Sequence, residues 1–383
     1  TEMTPDMKHV SWVVQSAQKA RQPFTEAGLT GKGQVIGVSD TGLDVNNCYF
    51  YDANHNVPFY DDFNAAIPHK TSSHRSVEMY FTFLDNVDEV DGHGTHVCGI
   101  ASGSYVSTVD SNRTLLTQYN GVAPDSKIAF VDVGCQNQNG CNCTTNTPEG
   151  VCPCSPTCAY GKLNLPTDVR VGYFSKPYEA GARIHSSSLG GTIGMTYNDK
   201  SVAVDEFTYE HDDFLVVWSA GNSGGEGGYM TLSGSFKQAK NHIVVGASTS
   251  PVDSWRDRYG IYEDYSKLLS TSQNQLVELL GCGCNPYTVD LCNEVAAMRN
   301  DCCDFLQDCT LSIPQLQSKI FPQQSLDCCK KCNLKILTSY KSRYDFQSIA
   351  GLSSLGPAMD GRLKPDVVAP GYYINSAKSY GSD

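Results

Sequence analysis

The sequence predicts an α/β fold built on a doubly wound, mostly parallel sheet. Three observations carry that expectation. Short β-branched runs such as Gln34 to Ser39 (QVIGVS) and Lys127 to Val133 (KIAFVDV) have the pattern of strands buried on both faces. Helical stretches alternate with these runs, which calls for parallel strands joined by right-handed crossovers. The 383 residues are 40% hydrophobic and 18% charged, which is enough to build a core and excludes a disordered chain.

Taken in order, residues 12–27 (WVVQSAQKARQPFTEA) place apolar side chains at helical spacing, and Gly28 follows as a stop signal. The first strand, Gln34 to Ser39, is entered from Gly31-Lys-Gly. Lys127 to Val133, Arg183 to Ser187, Phe214 to Trp218 and Ile243 to Ala247 are read as further strands. Helices are expected around 94–103, 168–181 and 200–212. Two cysteine-rich insertions interrupt the alternation. Residues 135–165, rich in Cys, Asn, Pro and Thr without periodicity, read as a stapled loop. Residues 262–345 form a second insertion with a helical pattern at Leu291 to Phe305, and its Cys302 to Cys309 run loosely resembles a somatomedin B module. The expected organisation is therefore a sheet domain over 1–261, the insertion at 262–345, and the sheet domain resumed at 346–383.

Lys and Arg total 28 against 41 Asp and Glu, a net charge of −13. That surplus argues against nucleic acid or an anionic membrane as partner, since both recognise basic patches. The longest apolar run, Phe214 to Ala220, falls far short of the ~18 residues a membrane span needs. Of the 17 cysteines, six lie in Cys135 to Cys158 and nine in Cys282 to Cys332, with Cys48 and Cys98 apart. Dense clusters of this kind suit disulfides in an oxidising compartment. The sequons Asn112-Arg-Thr and Asn142-Cys-Thr point the same way. Zinc competes through the Cys-x-Cys pairs, but paired Cys-x-x-Cys knuckles are poorly met and neither cluster contains His. The odd total leaves at least one thiol unpaired within the chain. Nothing near Thr1 has the form of a signal peptide, so a secreted or lumenal protein is expected to be processed before it.

Four stretches carry chemistry. Asp40 follows the first strand in Ser-Asp-Thr-Gly, at the sheet edge where reactive groups collect in parallel α/β folds. His93 opens a helix in Asp91-Gly-His-Gly-Thr-His, flanked by glycines that let backbone approach closely and leave the imidazole accessible. Asn222 follows another strand in Ala-Gly-Asn and offers an amide donor of the kind that stabilises an oxyanion. The last stretch runs from Ser353 to Gly371 (SSLGPAMDGRLKPDVVAPG).

Together these resemble the subtilisin-like serine proteases, the subtilases. Asp40-Thr41-Gly42 matches the family's D-[ST]-G block, His93 to Gly99 its H-G-T-x-V-[AC]-G block, and Ala220-Gly221-Asn222 its A-G-N block. Ser353 to Gly371 matches a further signature, and Ser188-Leu189-Gly190 looks like the family's substrate strand. The likeness is greatest to the extracellular alkaline branch and related multidomain proteins. It implies a subtilisin-like fold and a secreted endopeptidase acting on protein or peptide substrates. It also implies His93 as general base, Asp40 orienting the imidazole, and Asn222 donating to the oxyanion. Ser188, Leu189 and Gly190 would pair with an extended substrate, and Trp218, Ser219 and Ala220 would line the pocket before the cleaved bond. His96 is read as structural, and Cys98 as a small buried residue.

The family's nucleophile lies in G-T-S-x-A-x-P, and no Gly-Thr-Ser occurs in these 383 residues. In the family that serine opens a long central helix, so the expected partner is a second polypeptide, or an omitted segment, that carries it. Gly221-Asn-Ser-Gly-Gly imitates the serine block of chymotrypsin-like proteases, but strand–helix alternation argues against Ser223 as nucleophile. The rival expectation is an inert subtilase fold used as an interaction or structural module of an extracellular assembly. No cofactor is required for the chemistry. Structural calcium is implied by the resemblance alone, and Asp61, Asp62, Asp85, Asp88 and Glu89 read as no better than solvated surface charge.

Overall fold

The computed structural model describes residues 7–19, 21–83, 85–88, 92–106, 120–134, 163, 165–190, 196–226, 229–232, 234–251, 346–372, 374 and 376–379. Most of both cysteine-rich stretches, with every cysteine of the two clusters, lies outside them. The chain divides into two compact units. One comprises Thr1–Pro5 and Thr249–Ser348; of its few described residues, Thr249 donates its N–H to the Ser348 carbonyl at 2.9 Å. The other, Asp6–Ser248 with Ile349–Asp383, holds the sheet.

That sheet has eight strands: β1 (Val35–Asp40), β2 (Phe59–Tyr60), β3 (Val77–Thr82), β4 (Lys127–Asp132), β5 (Ile184–Ser187), β6 (Leu215–Ser219), β7 (Ile243–Ser248) and β8 (Val367–Pro370). Their order is β2-β3-β4-β1-β5-β6-β7-β8, and every neighbouring pair is parallel. β1 lies near the middle with β4 and β5 on its flanks, so the order reverses around it, as a doubly wound sheet requires. The five strands expected from sequence are present within a residue or so. β2, β3 and β8 were not anticipated.

Side chains alternate between two cores. Met79, Phe81, Ala129 and Val131 join Tyr173, Phe174, Phe207 and Trp218 on one face. Tyr80, Ile128, Phe130 and Val38 join Cys98 and Leu43 on the other. Each Val, Leu, Ile, Phe or Met among them, fully buried, contributes roughly 1.5–3 kcal/mol.

The helices are α1 (Met7–Gln15), α2 (Pro23–Glu26), α3 (His93–Ser102), α4 (Ser175–Glu179) and α5 (Asp199–Glu210). The single helix expected over 12–27 is corrected to α1 and α2. Pro23 starts a new helix at its first position, where the missing N–H costs nothing, and the residue before a proline avoids helical dihedrals. Between them the Ser16 hydroxyl donates to the Arg21 carbonyl at 2.7 Å in place of a continuing turn. The helix expected over 168–181 begins properly only at Ser175. Gly172 at φ +82 and extended Val171 break the turn before it. α5 is capped by Asn198, whose side chain accepts the Lys200 N–H at 3.1 Å.

Candidate active site

β1, β4, β5 and β6 all end at one edge of the sheet, in Asp40, Asp132, Ser187 and Ser219. Asp40 lies in register with Asp132 and is fully buried. α3 begins directly above this edge. Its first residue, His93, places Nδ1 at 2.6 Å from Asp40 Oδ1, which also accepts the Thr41 N–H at 2.8 Å. With Nδ1–H donating to the carboxylate, Nε2 carries the lone pair on the far side of the ring. The His93 side chain is 53% exposed, so a buried carboxylate orients an imidazole open to solvent.

The flanking glycines are required by geometry. Gly92 has φ +64, and a Cβ on Gly94 would meet the Gly42 carbonyl oxygen at 2.1 Å and Asp40 Cβ at 3.1 Å. Only a bare backbone brings α3 this near to the end of β1. Asp40 Oδ2 is buried without a hydrogen-bond partner among the described residues, as are His185 Nδ1 and both ring nitrogens of His242.

Asn222 lies on the turn after β6, with its side chain exposed. That turn is laced to the resumed chain: Ser223 donates its N–H to Ser354 Oγ at 2.9 Å, and Ser354 donates its own to the Gly221 carbonyl at 2.9 Å. Ser188, Leu189 and Gly190 follow β5; Leu189 is buried, Ser188 half-buried and Gly190 exposed. Ser219 is half-buried and Ala220 buried. The Trp218 indole lies inside the core, stacked on Phe236, and donates to the Leu189 carbonyl at 2.8 Å. It therefore ties the stretch after β5 to β6. His96 donates Nε2–H to the Ile374 carbonyl at 2.9 Å, and burial lowers its pKa. Burial likewise pushes the Cys98 thiol well up, and Cys48 is a free, exposed cysteine.

Two acids are buried that the sequence reading did not place in the core. Asp88, grouped above with solvated surface charge, is 2% exposed and bonded to Thr41 and Thr95. One partner, Thr41, lies 47 residues before it and the other, Thr95, seven after it, so no periodic pattern marks it. Asp132 accepts the Tyr80 hydroxyl at 2.6 Å and the Gly134 N–H at 3.0 Å, and burial raises its pKa well above the usual carboxylate range. Asp61, Asp62 and Asp85 remain partly or largely exposed, and Glu89 lies outside the described residues. Among the described residues no group of three His, Cys, Asp or Glu side chains could hold a metal ion. No helix among them is long and apolar enough to cross a membrane.

The model of the subtilase family matches residues 31–383. The chain is 33% identical over 362 residues to the serine protease/ABC transporter B family protein tagD of Dictyostelium discoideum, covering 93% of this chain and 17% of that protein. It is 32% identical to tagB of the same organism, covering 93% and 16%. To the minor extracellular protease Vpr of Bacillus subtilis it is 25% identical, covering 92% and 42%. The chain thus spans about a sixth of the two Dictyostelium relatives.

Proposed function

The chain belongs to the subtilase family, and on that premise we propose that it is the Asp- and His-bearing part of a secreted or lumenal serine endopeptidase. The observation that carries the reading is the 2.6 Å bond from exposed His93 to buried Asp40 at the active edge of the sheet. In that reading His93 Nε2 takes the proton of a nucleophilic serine and returns it to the leaving amine, while Asp40 stabilises the imidazolium. Asn222 donates to the oxyanion. The chain from Ser188 to Gly190 pairs with an extended peptide substrate, and Trp218 to Ala220 back the pocket for its side chain.

The nucleophile is placed outside these 383 residues, on the same polypeptide or on a second one. The sheet supports this. Ile184, Leu215 and Val367 are 48%, 37% and 52% exposed, and Val217, Ile243 and Val245 between them are only half-buried. Register puts all six on the sheet face that α3 covers over β1 and β4. Parallel sheets are ordinarily covered on both faces. The serine-bearing helix fits this exposed half of the face. The clustered cysteines and the sequons support an oxidising compartment.

Peptide-bond cleavage by the full-length protein on an unfolded protein substrate tests the reading. Asp40→Asn is expected to lower kcat by about 10⁴-fold. Intact substrate with wild-type protein would favour an inert interaction module instead.

A further inference from the structure

Three backbone segments meet at the Asp40–His93 pair, and Asp88 joins them. Its Oδ1 accepts the Thr41 hydroxyl at 2.8 Å, and that hydroxyl accepts the Gly94 N–H at 2.9 Å. Its Oδ2 accepts both the N–H and the hydroxyl of Thr95, at 2.9 and 2.5 Å. The Thr95 hydroxyl in turn accepts the Asp44 N–H at 2.8 Å. Every proton in this network runs toward the carboxylate: two backbone donors commit the two hydroxyls, which leaves both hydroxyls to donate to Asp88. Only an acceptor with no proton of its own satisfies three converging donors, so an amide there would set a donor against a donor.

The segments also touch backbone to backbone. A Cβ on Gly42, at φ +144, would meet the Val87 carbonyl oxygen at 2.4 Å and Asp88 Cα at 2.5 Å. Thr41 directly follows Asp40, and Thr95 lies two residues after His93. The carboxylate therefore holds the end of β1 and the first turn of α3 at a fixed separation.

We propose that Asp88 is a positioning residue for the reaction: acting through Thr41 and Thr95, it sets the distance and angle between Asp40 and His93. The inference rests on the serine-peptidase reading for its kinetic consequence but not for its geometric one, and two readouts separate them. In the full-length protein, Asp88→Asn is expected to lower kcat by about 10²-fold, as a small misplacement of reacting groups does, with KM little changed. It is also expected to move the His93 Nδ1–H proton resonance upfield, because the short bond to Asp40 lengthens. Thr41→Val, which removes one arm of the clamp without changing side-chain shape, is expected to show both effects in smaller degree and serves if Asp88→Asn does not fold. A folded variant with unchanged kcat and an unmoved His93 resonance overturns the proposal. So does a loss of kcat that merely tracks melting and returns on cooling. If the wild-type protein cleaves nothing, the peptidase reading fails, and the His93 resonance alone decides the role of Asp88.

Discussion

Asp40 and His93 are brought to 2.6 Å by the absence of side chains around them as much as by their own chemistry. Gly94→Ala is therefore expected to shift the start of α3 and abolish most activity, although alanine is the better helix former. Steady-state kinetics beside a thermal melt checks this, since a simple propensity effect would raise Tm and leave kcat alone. If Asn222 donates to the oxyanion as proposed, Asn222→Ala is expected to lower kcat by about 10²–10³-fold with little change in KM, because that charge exists only in the transition state. A change confined to KM would instead make Asn222 a ground-state contact. Three candidate positions were legible in the sequence: Asp40 as a strand-end acid, His93 as a histidine between glycines, and Asn222 as an amide after a buried strand. Asp88 was not legible, because its partner Thr41 lies 47 residues away. A run of acids before a glycine looks like surface until the fold closes over it.

At the scale of elements, strands buried on both faces announce themselves by apolar runs, and β1, β4 and β5 to β7 were readable on that ground. β3 carries Glu78, whose burial is made tolerable by the Ser72 N–H and Lys127, so its pattern resembles no simple strand. β2 has two residues, too few for any periodicity. β5 contributes a testable consequence. His185 points into the aromatic core between Tyr173, Phe174 and Phe214, with Nε2 at 3.1 Å from Ser39 Oγ. Burial lowers its pKa from 6.5 to about 3, and that of His242 to about 4. Both stay neutral in the folded chain where the unfolded chain is protonated, so the unfolded state binds more protons below pH 6.5. Stability is expected to be full above that pH and to fall as pH drops toward 4, by on the order of 1 kcal/mol per unit for each histidine. Denaturant unfolding at pH 7 and pH 5 measures it. A folded His185→Gln variant is expected to show a shallower slope, and an unchanged slope would refute the assignment.

The whole molecule joins an acidic chain, clustered cysteines and a sheet with part of one face exposed. Composition gave the first two, whereas the exposed face emerged only from register, because Ile184, Leu215 and Val367 lie far apart in sequence. If a serine-bearing helix covers that face, extending the 383-residue chain through that segment is expected to raise Tm and to remove binding of an apolar dye. An extension that leaves dye binding intact would mean that something else covers the sheet. The most direct test of the central claim is fluorophosphonate labelling of the native full-length protein, with the tagged peptide located by mass spectrometry. The expected result is a single tag on a serine outside residues 1–383, lost in His93→Ala. A tag on Ser223, or equal labelling of His93→Ala, would contradict the assignment of His93 as the base and of the nucleophile to that outside segment.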